Sequence, residues 1–187
     1  MPVNVQDTTQ SNMAAPRRPF ASVRRGERVF YESGTYNGCG IADALSAGFT
    51  EIHSYEVAQK WHYHCKARFL DDARVNLYLA PSQTMDLSDL NERAVFWLDG
   101  HYSFGDTSYH GTVCPVLEEL AIIKNHHIKT HTILVDDVRL YGTREFADIT
   151  LQDVASMIKS INELYEFKFL DGHIDNDILV ASVPEMM

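Results

Sequence analysis

Five times between Arg28 and Ile161 a short strand-like run is followed by a helix-like segment. The runs are RVFYESG, EIHSYEV, RVNLYLAP, AVFWLDG and THTILVDDV. Between them, Ile41, Leu45 and Phe49 recur at intervals of four, and Ala58, Trp61, Cys65 and Phe69 form one helical stripe. A short helix is expected around SDLNERA, and PVLEELAIIKN reads as a helix with proline in its first turn. TLQDVASMIKSIN opens with the capping-box pair Thr150 and Asp153 and turns Leu151, Val154, Ile158 and Ile161 inward. The last two strands, YEFKFLDG and DILVASV, lie too close in sequence for a crossover helix and predict an antiparallel hairpin. Such alternation predicts an α/β domain in three layers: a mostly parallel seven-stranded sheet with helices on both faces and an antiparallel last strand.

Residues 1–27 lack this pattern. They are polar and aperiodic, with four arginines against Asp7 and Glu27, and predict a flexible arm ahead of a single domain over 28–187. The net charge of −10 argues against a nucleic-acid partner, which needs a basic surface. No apolar run reaches membrane-spanning length and no signal-peptide core is seen, so no membrane partner is expected. Three cysteines without CxxC spacing suggest neither a disulfide framework nor a zinc site, and point to a reducing, cytoplasmic setting.

Ligands of open parallel sheets bind beyond the carboxyl ends of the strands. Glu32, Glu56, Ser82, Asp99 and Asp136 all fall there. After the first strand, Gly34, Gly38 and Gly40 are spaced G-x-x-x-G-x-G, unlike the G-x-G-x-x-G of dinucleotide sites. Glu32 before them would repel a pyrophosphate and favour an ammonium group, which places a nicotinamide-dependent oxidoreductase behind an amine-bearing nucleoside binder. Glu56, 22 positions after Gly34, suits the two hydroxyls of a ribose. Asp99, Asp136 and Asp137 end two strands expected to be neighbours, where a divalent cation such as magnesium would relieve their repulsion. HYHC (His62, His64, Cys65) is read as packed or solvated and not as a metal site, since i, i+2 positions on a helix do not face one another. His126 and His127 are expected at the surface. The loop Ser103–Gly111 either gates a cleft or is a plain connection.

With FYESGTYNGCG and IHSYEV in place of a first and second motif, the chain from Arg28 onward resembles the class I S-adenosylmethionine-dependent methyltransferases. VFWLDGHYS and HTILVDDVRLYG are similar to a smaller methyltransferase-like family within them. The resemblance implies the Rossmann-like methyltransferase fold and S-adenosylmethionine as cofactor. It implies that Gly34, Thr35, Tyr36 and Gly38 embrace the methionine part, with Glu32 close by. Glu56 and Val57 would hold the ribose, and Ser82 and Gln83 of APSQ would border the adenine. Many relatives carry an aspartate where Ala80, Pro81 or Ser82 stands here. Asp99 would lie beside the transferable methyl, with His101 as a base. Asp99, Asp136 and Asp137 match the acidic positions of cation-assisted oxygen methyltransferases. The implied acceptor is a small hydroxyl-bearing molecule, in a pocket completed by a mobile loop or by the second copy of a homodimer. The alternative is a nucleoside-binding protein of this fold without catalysis.

Overall fold

The computed structural model describes residues 18–185, apart from 104, 106 and 110. Its elements in chain order are α1 (Phe20–Val23), β1 (Val29–Ser33), α2 (Cys39–Ser46), β2 (Glu51–Glu56), α3 (Gln59–Arg68), β3 (Val75–Leu79), β4 (Ala94–Leu98), α4 (Val116–Asn125), β5 (Thr132–Val135), α5 (Leu151–Ile161), β6 (Glu166–Leu170) and β7 (Ile178–Ser182). The sheet runs β3-β2-β1-β4-β5-β7-β6. Strands β1 to β5 are parallel, and β7 is antiparallel to both β5 and β6.

All residues of β1, β4, β5 and β7 are buried, which explains their near-continuous apolar runs: each lies under helices on both faces. Successive side chains feed opposite cores. Tyr31, Phe96, Leu98, Ile133 and Val135 pack with Leu120 and Ile123 of α4 and Val154 and Ile158 of α5. Phe30, Val95, Trp97 and Leu134 pack with Phe20 of α1 and Ile41 and Ala44 of α2. Helix α5 begins at the expected capping box, with the Thr150 hydroxyl accepting from the Asp153 N–H and the Asp153 carboxylate accepting from the Thr150 N–H. Because β1 pairs with β2 on one side and β4 on the other, the chain winds in opposite directions from it. A crevice therefore opens beyond its carboxyl end.

Three sequence expectations are corrected. The expected arm is part of the fold from Arg18 on: Phe20 is fully buried, Val23 nearly so, and Arg25 donates to the Ser182 hydroxyl and the Val183 carbonyl. The rest of that arm, residues 1–17, lies outside the described residues. No helix forms around SDLNERA. The Asp86 carboxylate accepts from the Ser88 N–H and Leu90 N–H donates to the Leu87 carbonyl, so local turns take the bonds a helix would need. In α3, His62 and Cys65 are buried, within the packed-or-solvated reading of that segment. His126 is buried as well, while His127 is exposed as expected. Ala94 N–H donates to His131 Nδ1, His131 Nε2 donates to His126 Nδ1, and His126 Nε2 donates to the Leu90 carbonyl. That chain fits both rings neutral, and burial pushes His131 down to about 3.

Candidate functional site

The sequence after β1 leaves the sheet at Gly34, whose φ of +77° lies in the left-handed region. A Cβ there would sit 2.4 Å from the Asp99 carbonyl oxygen. Glycine thus lets the first loop pass directly over the end of β4. Gly34 N–H donates to the Tyr55 carbonyl, and Gly38 N–H closes a turn onto the Thr35 carbonyl.

Above these strand ends lies a cavity of about 400 Å³. Its walls include Gly34, Thr35, Tyr36, Glu56, Val57, Ser82, Gln83, Asp99 and His101, so most residues singled out in the sequence meet in one space. Glu56 is oriented by the backbone: one carboxylate oxygen accepts from Tyr36 N–H at 2.7 Å, the other from Ala58 N–H at 2.7 Å. Each oxygen retains acceptor capacity toward the cavity. The Tyr36 and Trp61 rings, with centroids 4.2 Å apart, form an aromatic wall beside it.

Of the residues expected to hold the cofactor, two do not reach the cavity. Gly38 is the left-handed residue that starts α2, with the Phe69 ring and the Cys65 sulfur where a side chain would go. Glu32 is 1% exposed and lies beneath the loop, its carboxyl accepting from the Ser54 hydroxyl at 2.6 Å. A Cβ on Gly40 would fall 1.7 Å from Glu32 Oε1, so that glycine makes room for the acid. Burial raises Glu32 from an ordinary 4.5 to about 8, against the Ser54 hydroxyl and the Arg18 charge. A neutral acid under the loop does not select an ammonium group in the cavity, and that expectation fails.

The acidic rim differs from the expected cation site. Among the described residues, two trios of acids and histidines bring their ligand atoms within 4.8 Å of one another: Asp99, His101 and Asp137, and Asp136, Asp137 and Asp177. The expected trio Asp99, Asp136 and Asp137 is not such a group. His101 bridges instead, with Nδ1 3.5 Å from Asp99 and Nε2 3.3 Å from Asp137. Arg139 binds Asp137 at 2.6 Å and also binds Asp177. With a guanidinium and an imidazole already on these carboxylates, the residues do not fit a hard, all-oxygen cation site. Burial works against charging His101, but Asp99, Asp137 and Asp136 outweigh it and raise its pKa above the ordinary 6.5. Both ring nitrogens of His101 face carboxylates, so the ring stands as a partner of Asp99 and Asp137. Asp136 is raised by burial and by its neighbours Asp99 and Asp137. It borders a smaller hollow with His101, Tyr141 and Glu119. Glu119, which sequence reasoning did not single out, is buried there and raised to about 7, chiefly by desolvation.

Sequence reasoning also missed Arg18 and Trp61 as cavity residues. Trp61 was legible as a partly buried helix position next to the Glu56 strand end; Arg18 gave no periodic signal. The loop over the cleft contributes Ser103, Thr107 and Ser108 to the cavity wall, with Tyr102 N–H tied to the Val113 carbonyl at 2.7 Å.

No protein-family model and no curated protein matches the sequence. Solved structures do match in fold. A Streptococcus mutans protein assigned to the methyltransferases and solved with SAH has 13% identity and a TM-score of 0.58, covering 88% of this chain and 93% of that one. An rRNA methylase from Streptococcus thermophilus gives 12%, 0.55, 92% and 100% in the same order. The 23S rRNA methyltransferase ErmE gives 14%, 0.55, 90% and 68%. These likenesses establish the fold: a Rossmann-like methyltransferase sheet with an antiparallel final pair. They also overturn the exclusion of nucleic acid. Proteins named for acting on rRNA share this architecture, so a net charge of −10 averaged over the chain does not decide the acceptor class. Among the described residues, no helix is long and apolar enough to cross a membrane. The structural neighbours of this chain are methyltransferases.

Proposed function

We propose that the chain is an S-adenosylmethionine-dependent methyltransferase whose acceptor presents a hydroxyl group. The observation that carries this reading is Glu56: a carboxylate fixed by two backbone amides at the end of β2, with free acceptor capacity facing a cavity of about 400 Å³. That arrangement suits the adjacent hydroxyls of a ribose. Tyr36 and Trp61 offer faces for the nucleoside, and Ser82 and Gln83 offer hydrogen bonds to an adenine edge.

The cofactor supplies an electrophilic methyl on a sulfonium sulfur. The chain supplies position and a proton acceptor. Ser103 and Thr107 line the cavity and would position an acceptor oxygen to take that methyl, its bond to carbon forming as the carbon–sulfur bond breaks. Its proton passes to Asp99, which faces the cavity while its own N–H donates to the Ser33 hydroxyl at 3.0 Å. His101, with Nδ1 3.5 Å from Asp99, keeps that carboxylate in place.

Calorimetric titration with S-adenosylmethionine and SAH tests the reading. Both bind the wild type, Glu56→Ala weakens both by about tenfold or more, and Asp99→Asn leaves SAH binding within a few-fold. Transfer of labelled methyl to hydroxyl acceptors then falls about a hundredfold or more in Asp99→Asn. Lack of binding by either compound would remove the enzyme; binding without transfer to any acceptor would favour the non-catalytic nucleoside binder.

A further inference from the structure

The cavity walls hold two carboxylates, Glu56 and Asp99, and among the described residues a single arginine or lysine, Arg18. Arg18 comes from the segment that the sequence offered as a free arm. It is brought in by its neighbours: Phe20 and Val23 are sunk in the core beside Trp97, and Arg18 N–H donates to Asp43 at 3.2 Å. The guanidinium lies 5.7 Å from the centre of the Trp97 ring, and its nitrogen is 3.7 Å from Asp43, too far for a hydrogen bond. Asp43 is thus its ion-pair partner, yet among the described residues its planar fork of N–H donors makes no hydrogen bond. Its contacts with Trp97 of β4 and Asp43 of α2 place it at that end of the cavity wall, whereas Glu56 ends β2.

We propose that Arg18 is a binding residue for the carboxylate of the amino-acid tail of the ligand, so that the segment from Arg18 to Val23 is part of the cofactor site. This rests on the methyltransferase reading above and extends it to the far end of the ligand. An adenosine with an amino-acid tail needs partners at two places. The ribose meets Glu56, and the α-carboxylate needs a cation, which Arg18 supplies in the bidentate geometry a guanidinium favours. The burial of Phe20 and Val23 then has a consequence for binding: it fixes in advance a side chain that would otherwise lose rotamer freedom on contact.

Two probes separate this inference from the reading beneath it. SAH carries the amino-acid tail; methylthioadenosine has the same nucleoside without it. Titrations of both are compared in the wild type, Arg18→Gln and Arg18→Ala, with thermal melts of each protein to confirm folding. SAH affinity is expected to fall by about tenfold or more in both variants, while methylthioadenosine affinity stays within about twofold. The advantage of SAH over methylthioadenosine in the wild type then largely disappears. Unchanged SAH affinity in the folded variants would overturn the proposal. Equal weakening of both nucleosides would overturn it too, because that is the mark of a residue that only shapes the fold. A wild type that binds neither nucleoside would overturn the methyltransferase reading and this inference with it.

Discussion

Glu56 and Asp99 end β2 and β4, on either side of Gly34, and they are held by different kinds of partner. On the first wall, two backbone amides fix Glu56, and the acid beneath it, Glu32, is buried and shielded by Ser54 and Gly40. On the second wall, side chains answer one another: His101 lies between Asp99 and Asp137, and Arg139 between Asp137 and Asp177. Backbone amides cannot change charge or move far, so an acid they hold is suited to recognising a fixed ligand group. An acid in contact with an imidazole can exchange a proton. The difference suggests a division of labour across one crevice, binding on the β2 side and proton handling on the β4 side.

The largest expected effect comes from breaking the contact that joins the walls. In Gly34→Ala, the new methyl meets the Asp99 carbonyl at 2.4 Å in a backbone region that side chains disfavour. Backbone strain and overpacking together should cost on the order of 3 kcal/mol or more. Urea melts measure that loss, and SAH titration should show binding abolished. A variant of native stability and affinity would mean that the walls are independent.

The next effect separates the two acids of the first wall. Glu32 has a folded pKa of about 8 against an ordinary 4.5, so folding takes up a proton between those values. Its contribution is fullest below about 4.5 and is lost as pH rises toward about 8, at about 1.4 kcal/mol per pH unit. Glu32→Gln lacks this proton. The stability difference between variant and wild type, read from denaturant melts, should shift in favour of the variant by about that amount per unit from pH 5 to 8. A constant difference across that range would show that Glu32 is charged in the folded protein. SAH binding at neutral pH should barely change, in contrast to Glu56→Ala.

The ease with which these features were read from sequence follows the same line. The alternation of strands and helices, the antiparallel end and the capping box at Thr150 come from local periodicity and spacing, so they were visible. Glu56 and Asp99 were visible too, since a strand end is a position along the chain. Residues decided by partners far away were not. Glu32 looks like a site acid until Gly40 and Ser54 close over it. His126 looks like a surface residue until His131 and the Leu90 carbonyl take both ring nitrogens. The expected cation site fails because Arg139 and Asp177, 38 residues apart, meet at Asp137. A four-residue helix carrying Phe20 and Val23 is too short to show a period, and Arg18 was hidden with it.

The smallest effect probes the second wall by itself. Burial pulls the His101 pKa down, while Asp99, then Asp137 and Asp136, push it above the ordinary 6.5. A histidine raised in this way adds stability that is complete below about 6.5 and lost as pH rises through its folded pKa. Replacing Asp99 by asparagine keeps the shape and removes the leading upward influence, so burial should then dominate. In an NMR titration the His101 ring signals should move at lower pH in Asp99→Asn than in the wild type, while Glu56→Gln should leave that midpoint where it was. If both substitutions shift it equally, the crevice has one shared electrostatic field and the division between its walls disappears. If neither does, Asp137 alone sets the His101 titration, and Asp99 loses the neighbour that holds it in the proposed proton transfer.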